Sequence, residues 1–321
     1  MRYQQDKLTM QIDIKENYLY SFDVNLLKIL LVDRTTRKNI IWATDAYAAL
    51  GNQYQNDSQI IPSCITGLFG NVIKPRCDKT RSEQSERIRD KAEVFTPAWV
   101  CNCQNNLIDD NWFGRSCVFN TELEKGWIAT HEKIVFPDEK GKNWQDYVKA
   151  NRLEITCGEA PYLASRYDSV TGQSISVGER IGLLDRKLRV VGENVDNEQQ
   201  WLTWAKKAVQ SVYGYDWQGD NVLLARENLL FTVMDFYKEK FHKSLAKNIK
   251  YLGEIARVLS WNIWQMDGLK FVVPNSCHDG CEGCAKRDLG KHNGIYCRIY
   301  DWPANRSIEF YSLYKGAKNG D

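Results

Sequence analysis

Apolar residues in the first part of the chain fall into two short runs, LLKILLVD (26–33) and NIIWATDAY (39–47), separated by the polar turn RTTRK. Runs this short fit a helix or a buried strand, and periodicity alone does not decide between them. Charge then takes over. Between 74 and 93, Lys74, Arg76, Lys79, Arg81, Arg87, Arg89 and Lys91 alternate with Asp78, Glu83, Glu86, Asp90 and Glu93. That pattern predicts a solvated helix with i,i+4 pairs, or a surface that meets a phosphate backbone. A helix is predicted to start after Pro97, with Thr96 as its cap, and 112–150 reads as loops and short elements.

From 151 to 273 the pattern alternates. LEITCG (153–158) is strand-like and ends at a glycine, and RIGLLDRKLRVV (180–191) is a further apolar run. Trp201, Trp204, Ala208 and Val212 recur at helical spacing, and Trp201, Trp204, Trp261 and Trp264 read as core residues, with base stacking as the alternative. LLARENLLFTVMDFYKEKF (223–241) reads as an amphipathic helix, and IARVLSWNIWQMD (255–267) as a helix leading into a strand. The last segment, YCRIYDWPANRSIEFYSLYKG (296–316), reads as a strand pair with a turn. Strand–helix alternation argues for an α/β fold.

Composition narrows the class without naming a function. The chain has 321 residues, 43% apolar and 26% charged, with a net charge of +2. No window approaches the ~18 apolar residues of a membrane span, so no membrane partner is expected. The start, MRYQQDKLTMQIDIKE, has no apolar core of a signal peptide. The ten cysteines, in a chain of this length without such a peptide, are therefore read as mostly free thiols in a reducing cytoplasm.

An adenosine-type cofactor on an α/β sheet needs a tight turn after the first strand and acidic side chains at later strand ends. LEITCGEAPYL supplies the turn: Glu154 lies in the strand, Gly158 permits close backbone approach, and Ala160 and Pro161 open the next helix. Only one glycine is present, so a GxGxxG pyrophosphate loop is absent. YGYDWQGDNVLLARENLL (213–230) offers Asp216 at a strand end, and NIWQMDGL (262–269) offers Asp267. Each acid alone reads equally as a cap or surface carboxylate. FPDEKGK (136–142) carries a lone Pro-Asp, which without a second acid–x–lysine element does not make a nuclease.

These segments, in this order, resemble those of the gamma-class amino-methyltransferases of DNA. FTP at 95–97 is similar to the segment that opens that class. LEITCGEAPYL is similar to its LEPACGxGxFL-type motif, YGYDWQGDNVLLARENLL to GxDIxPxAxxxARxNL, and NIWQMDGL to NIxxGDxL. The chain also resembles the restriction endonuclease subunit M group of bacteria and their phages. The resemblance spans about residues 93–270. It implies a Rossmann-like S-adenosylmethionine-dependent fold and a role as a DNA adenine-N6 methyltransferase subunit of a restriction-modification system. The implied cofactor contacts are Phe95, Thr96, Pro97, Glu154, Thr156, Cys157, Gly158, Glu159, Ala160, Pro161, Asp216 (ribose) and Asp267 (adenine). The implied partners are double-stranded DNA and a further subunit. The organisation then reads as an N-terminal extension (1–92), a cofactor-binding domain (93–273) and a Cys-rich C-terminal segment (274–321).

Three features depart from the family. The second glycine of the turn is Ala160, with Glu159 beside it. The stretch between the first two motifs is long, which makes Asp185 a rival for the ribose role. The catalytic Asn/Asp-Pro-Pro-Tyr/Phe motif does not occur in the chain. Methyl transfer to an exocyclic amine depends on flipping the base out and holding its amino group, and Pro274 and Asn275 of VVPNSC are the nearest substitutes for the groups that would hold it. A partner that supplies this loop is one expectation. A non-catalytic scaffold or decoy that keeps only the fold is the other.

One further cluster stands apart. SCHDGCEGCAKRDLGKHNGIYC places Cys277, Cys281, Cys284 and Cys297 with three, two and twelve residues between them, and His278 and His292 lie among them. Four thiolates from short turns suit a closed tetrahedral zinc site. The expected ligands are the four cysteines, with His292 as a replacement for one of them, and the alternative is free thiols in a polar loop. Such a knuckle could touch DNA or a partner subunit.

Overall fold

The computed structural model describes residues 16–91 and 96–318. In chain order the helices are α1 (Glu16–Phe22), α2 (Val24–Leu31), α3 (Arg81–Lys91), α4 (Ala98–Phe113), α5 (Trp144–Lys149), α6 (Leu183–Asn194), α7 (Glu198–Gln210), α8 (Gly219–Phe241), α9 (Ile249–Asn262), α10 (Glu282–Lys286) and α11 (Phe310–Lys318). The strands are β1 (Asn120–Leu123), β2 (Gly126–Ala129), β3 (Arg152–Glu154), β4 (Val212–Asp216), β5 (Ile263–Gln265), β6 (Arg298–Asp301) and β7 (Arg306–Glu309). The fold is mixed α/β. Its centre is a parallel sheet in the order β3-β4-β5, and β1-β2 and β6-β7 are separate antiparallel hairpins. Among the described residues no helix is long and apolar enough to cross a membrane.

Parallel strands need helices to cross between them, and α7, α8 and α9 pack on one face of the sheet. The other face carries Tyr213, Tyr215, Trp264 and Met266. It is covered by Cys297, Ile299, Ile308 and Phe310 from the C-terminal hairpin and the start of α11. A cavity of about 300 Å³ remains between that hairpin and the amino ends of the strands, lined by Leu153, Tyr213, Trp264, Ile299, Phe310 and Leu313.

The run at 26–33 is a helix: Asp23 caps α2 by accepting from the Asn25 amide at 2.8 Å. The run at 39–47 is extended at 39–42, with the isolated bridges Val32–Asn39 and Ile41–Gln59, and turns from the left-handed Ala43 onward. Residues 180–191 lead into α6, and the tail after β7 is helical rather than a simple strand pair. The charged run is not wholly solvated. Arg87 and Lys79 are buried against Asp220 at the start of α8, at 2.8 and 3.8 Å, while Arg81 and Arg89 are exposed.

The helix expected to be amphipathic behaves differently. From Gly219 to Val233 every residue of α8 is buried, because α2, α6, α9 and the sheet all pack against it. Its polar side chains therefore need internal partners. Arg226 meets this need by donating to the carbonyls of Ile263 (2.8 Å), Val32 (3.1 Å), Ser260 (3.2 Å) and Leu30. One guanidinium thus ties the ends of α2 and α9 to β5.

Glu227 has no such partner. Both of its carboxyl oxygens, and one of Glu16, lack hydrogen bonds. Burial raises both pKa values, that of Glu16 to about 8, and each carboxylate would repel the other. Both acids are therefore neutral in the fold at low pH. Because the folded-state pKa lies above the unfolded value near 4.5, the stability of the fold with both acids protonated is fully present below pH 4.5 and is lost as pH rises through about 8. Glu227→Gln is expected to flatten the fall in stability between about pH 5 and 8 and to raise the denaturant midpoint at about pH 8. Unchanged slopes in chemical denaturation across that range would count against the pairing.

Candidate functional site

The carboxyl ends of β3, β4 and β5 converge on one edge. β3 ends at Glu154, and the chain then turns through Thr156, Gly158 and Ala160, all left-handed with φ of +49°, +53° and +61°. Glycine adopts this conformation freely, whereas each L side chain there costs about 1–2 kcal/mol. The turn is held against that cost by three anchors. The Cys157 amide donates to the Tyr215 carbonyl at 2.8 Å, and the Cys157 side chain packs on Gly214, where a Cβ would lie 3.1 Å from it. Glu159 accepts from the Arg76 amide and the Tyr167 hydroxyl, both at 2.6 Å. Asn228 donates to the Glu159 carbonyl at 3.0 Å. Glu159 thus faces into the protein as a strut between the turn and the N-terminal region.

Asp216 closes β4 and reaches back to the turn. One carboxylate oxygen accepts from the Gly158 amide at 2.9 Å, and the other from the Gln218 amide at 2.9 Å and from Asn221 at 3.3 Å. Its carbonyl accepts from the Met266 amide at 2.9 Å, so Asp267 follows directly on the neighbouring strand end. Asp267 is nearly buried. It accepts from the Leu269 amide at 3.0 Å and lies 3.4 Å from the Lys270 ammonium. Glu154, also buried, accepts from the Tyr162 amide at 3.4 Å, and its second oxygen has no partner. Burial pushes its carboxyl well up, and the charge of Asp216 adds to this.

The segment Ile41–Ala43 lies across the ends of β4 and β5. Gln265 holds Ile41 by both its amide groups, at 2.9 and 2.8 Å, and Gly219 donates to the Trp42 carbonyl at 3.1 Å. A Cβ at Gly219 would lie 2.0 Å from the Ile41 carbonyl oxygen, so only glycine fits. Nothing in the local sequence pattern marks this long-range contact.

Of the remaining residues singled out, Phe95 lies outside the described residues. Thr96 and Pro97 precede α4, where the Thr96 carbonyl accepts from the Ser169 hydroxyl at 2.9 Å. Thr96 does not cap α4; Asp168 does, accepting from the Ala98 amide at 2.7 Å. Pro161 follows Ala160 in the same turn, and no helix opens there. Asp185 is at no strand end. It is buried in the first turn of α6, where it accepts from the Gly182 amide and from Ser165, and it falls away as a ribose ligand. Pro274 is buried and Asn275 exposed in a left-handed turn that leads towards the cysteines.

The cysteine group is corrected at one position. Cys277, Cys281, Cys284 and His292 place their ligand atoms within 4.8 Å of one another and could hold a metal ion such as zinc. Cys297 is elsewhere. It is fully buried at the start of the C-terminal hairpin, with its thiol directed at the Gln265 carbonyl at 3.4 Å. Its backbone pairs with Phe271, which fixes it on the sheet side of the loop. Spacing alone could not separate it from His292, because both lie within reach in sequence.

Comparison with protein-family models, curated proteins and solved structures finds no match.

Proposed function

We propose that this chain is a methyltransferase-like subunit that binds S-adenosylmethionine at the carboxyl edge of β3, β4 and β5. The observation that carries this reading is the 2.9 Å contact between the Gly158 amide and Asp216, with Asp267 on the adjoining strand end. Ligands of open parallel sheets bind outside this edge. In this reading a ribose hydroxyl donates to the Asp216 carboxylate in competition with its protein donors Gly158, Gln218 and Asn221. The bound cofactor would supply a sulfonium methyl; the chain's own residues would hold and orient it.

The target is proposed to be an adenine amino group in double-stranded DNA, in a restriction-modification setting. The acceptor–proline–aromatic loop that would hold the flipped base is absent from the sequence. A partner subunit supplies it in this reading. A scaffold reading also has an observation in its favour, since Asp216, Asp267 and Glu159 already have protein partners without any ligand.

Titration calorimetry with S-adenosylmethionine and S-adenosylhomocysteine separates the two. The expected result is saturable one-to-one binding by the isolated chain. A folded chain that gives neither heat nor a thermal shift at millimolar cofactor would leave the scaffold reading.

A further inference from the structure

We propose that Cys277, Cys281, Cys284 and His292 hold one zinc(II) ion. We further propose that this ion is the brace that fixes the loop 274–296 and, through it, the turn that carries Asp267. Nδ1 of His292 lies 3.7, 3.5 and 3.6 Å from the three sulfurs. One imidazole nitrogen has a single lone pair or a single proton, so it cannot bond three thiols at once. Near-equal distances to all three call for a shared centre. A tetrahedral zinc, with bonds of about 2.3 Å to sulfur and about 2.0 Å to nitrogen, separates nitrogen and sulfur by about 3.6 Å. The Asn293 amide, 3.4 Å from the Cys281 sulfur, supplies the hydrogen bond that favours a thiolate ligand. Three thiolates and an imidazole in a closed set select zinc over oxygen-seeking ions.

The loop is held by exposed polar contacts and almost no apolar burial. Between 276 and 295 only Cys281 and Gly283 are buried, and α10 is a single short turn. Apolar burial cannot offset the ordering of so many residues, whereas metal binding energy can. The loop closes on a short ladder. Val273 donates to Ile295 at 2.8 Å, Cys297 to Phe271 at 2.9 Å, Asp267 to Val272 at 2.8 Å and Phe271 to Asp267 at 2.7 Å. Order imposed at the metal is thus transmitted to Asp267 through backbone alone.

Elemental analysis of the full chain, purified without chelator, tests the site. One zinc per chain is expected, retained in Cys297→Ser and lost in Cys284→Ser and His292→Ala. Should the variants fold poorly, cobalt(II) exchanged into the unaltered chain is expected to give the spectrum of a tetrahedral centre with three sulfurs. A folded chain that neither retains nor takes up stoichiometric zinc, or a centre lost in Cys297→Ser but kept in His292→Ala, overturns the site. Hydrogen exchange tests the brace: stripping zinc is expected to expose the amides of 267–273 and 295–297 while β4 stays protected. Unchanged protection at 267–273 overturns it. Neither readout contains a cofactor, so both stand apart from the adenosyl reading.

Discussion

Asp216→Ala is expected to weaken S-adenosylmethionine binding by roughly 10- to 100-fold. A charge-assisted hydrogen bond contributes about 1.5–3 kcal/mol, one such bond to the ribose would be lost, and about 1.4 kcal/mol corresponds to tenfold in affinity. The same change leaves the Gly158 and Gln218 amides without their acceptor, so some loss of stability accompanies it. Asp216→Asn separates the effects, because an amide oxygen can still accept from one of these donors while the charge is gone. The expected order of affinity by calorimetry is wild type, then Asn, then Ala, with the Asn variant between the other two in unfolding midpoint because it satisfies one of the two backbone donors. Equal affinities in all three folded proteins would remove Asp216 from the site.

Asp109→Ala is expected to cost about 3–5 kcal/mol of stability, the range found when one partner of a buried ion pair is removed. Asp109 and Arg186 are almost fully buried and meet at 2.6 Å. The Tyr147 hydroxyl donates to Asp109 at 3.0 Å, and Arg186 also donates to Asn102 and Asn106 at 2.9 and 2.7 Å. The cluster joins α4, α5 and α6, so alanine strands a guanidinium at a three-helix junction. Asp109→Leu combined with Arg186→Met, which removes both charges, is expected to recover a substantial part of the loss. Guanidinium denaturation measures both, and a loss below about 1 kcal/mol for the single variant, the worth of an exposed pair, would show that the site is wetter than its burial implies.

The site was legible in sequence to the extent that its parts are local. A strand that ends in a glycine turn, an acid at a strand end and a Cys-x-x-Cys step are short-range patterns, and LEITCG, YGYD and the cysteine run carry them. Less visible was what those residues would face. Glu159 sits in the motif yet points away to Arg76 and Tyr167. Asp185 had the right chemistry but lies in the first turn of a helix. Asp168, about seventy residues away, took the capping role that neighbouring Thr96 was placed for.

By itself the sequence determined the alternation of strands and helices, the short parallel strands that this alternation requires, and the small set of carboxylates and thiols available for chemistry. Hydrophobic spacing and turn residues act within a few positions, so they are written locally. Tertiary structure alone decided that α8 is buried on every side from Gly219 to Val233, that Ile41–Ala43 lies over the strand ends, and that His292 rather than Cys297 joins the three thiols. Those outcomes depend on which distant surfaces exclude water together, and a local pattern of apolar and polar positions does not encode that pairing.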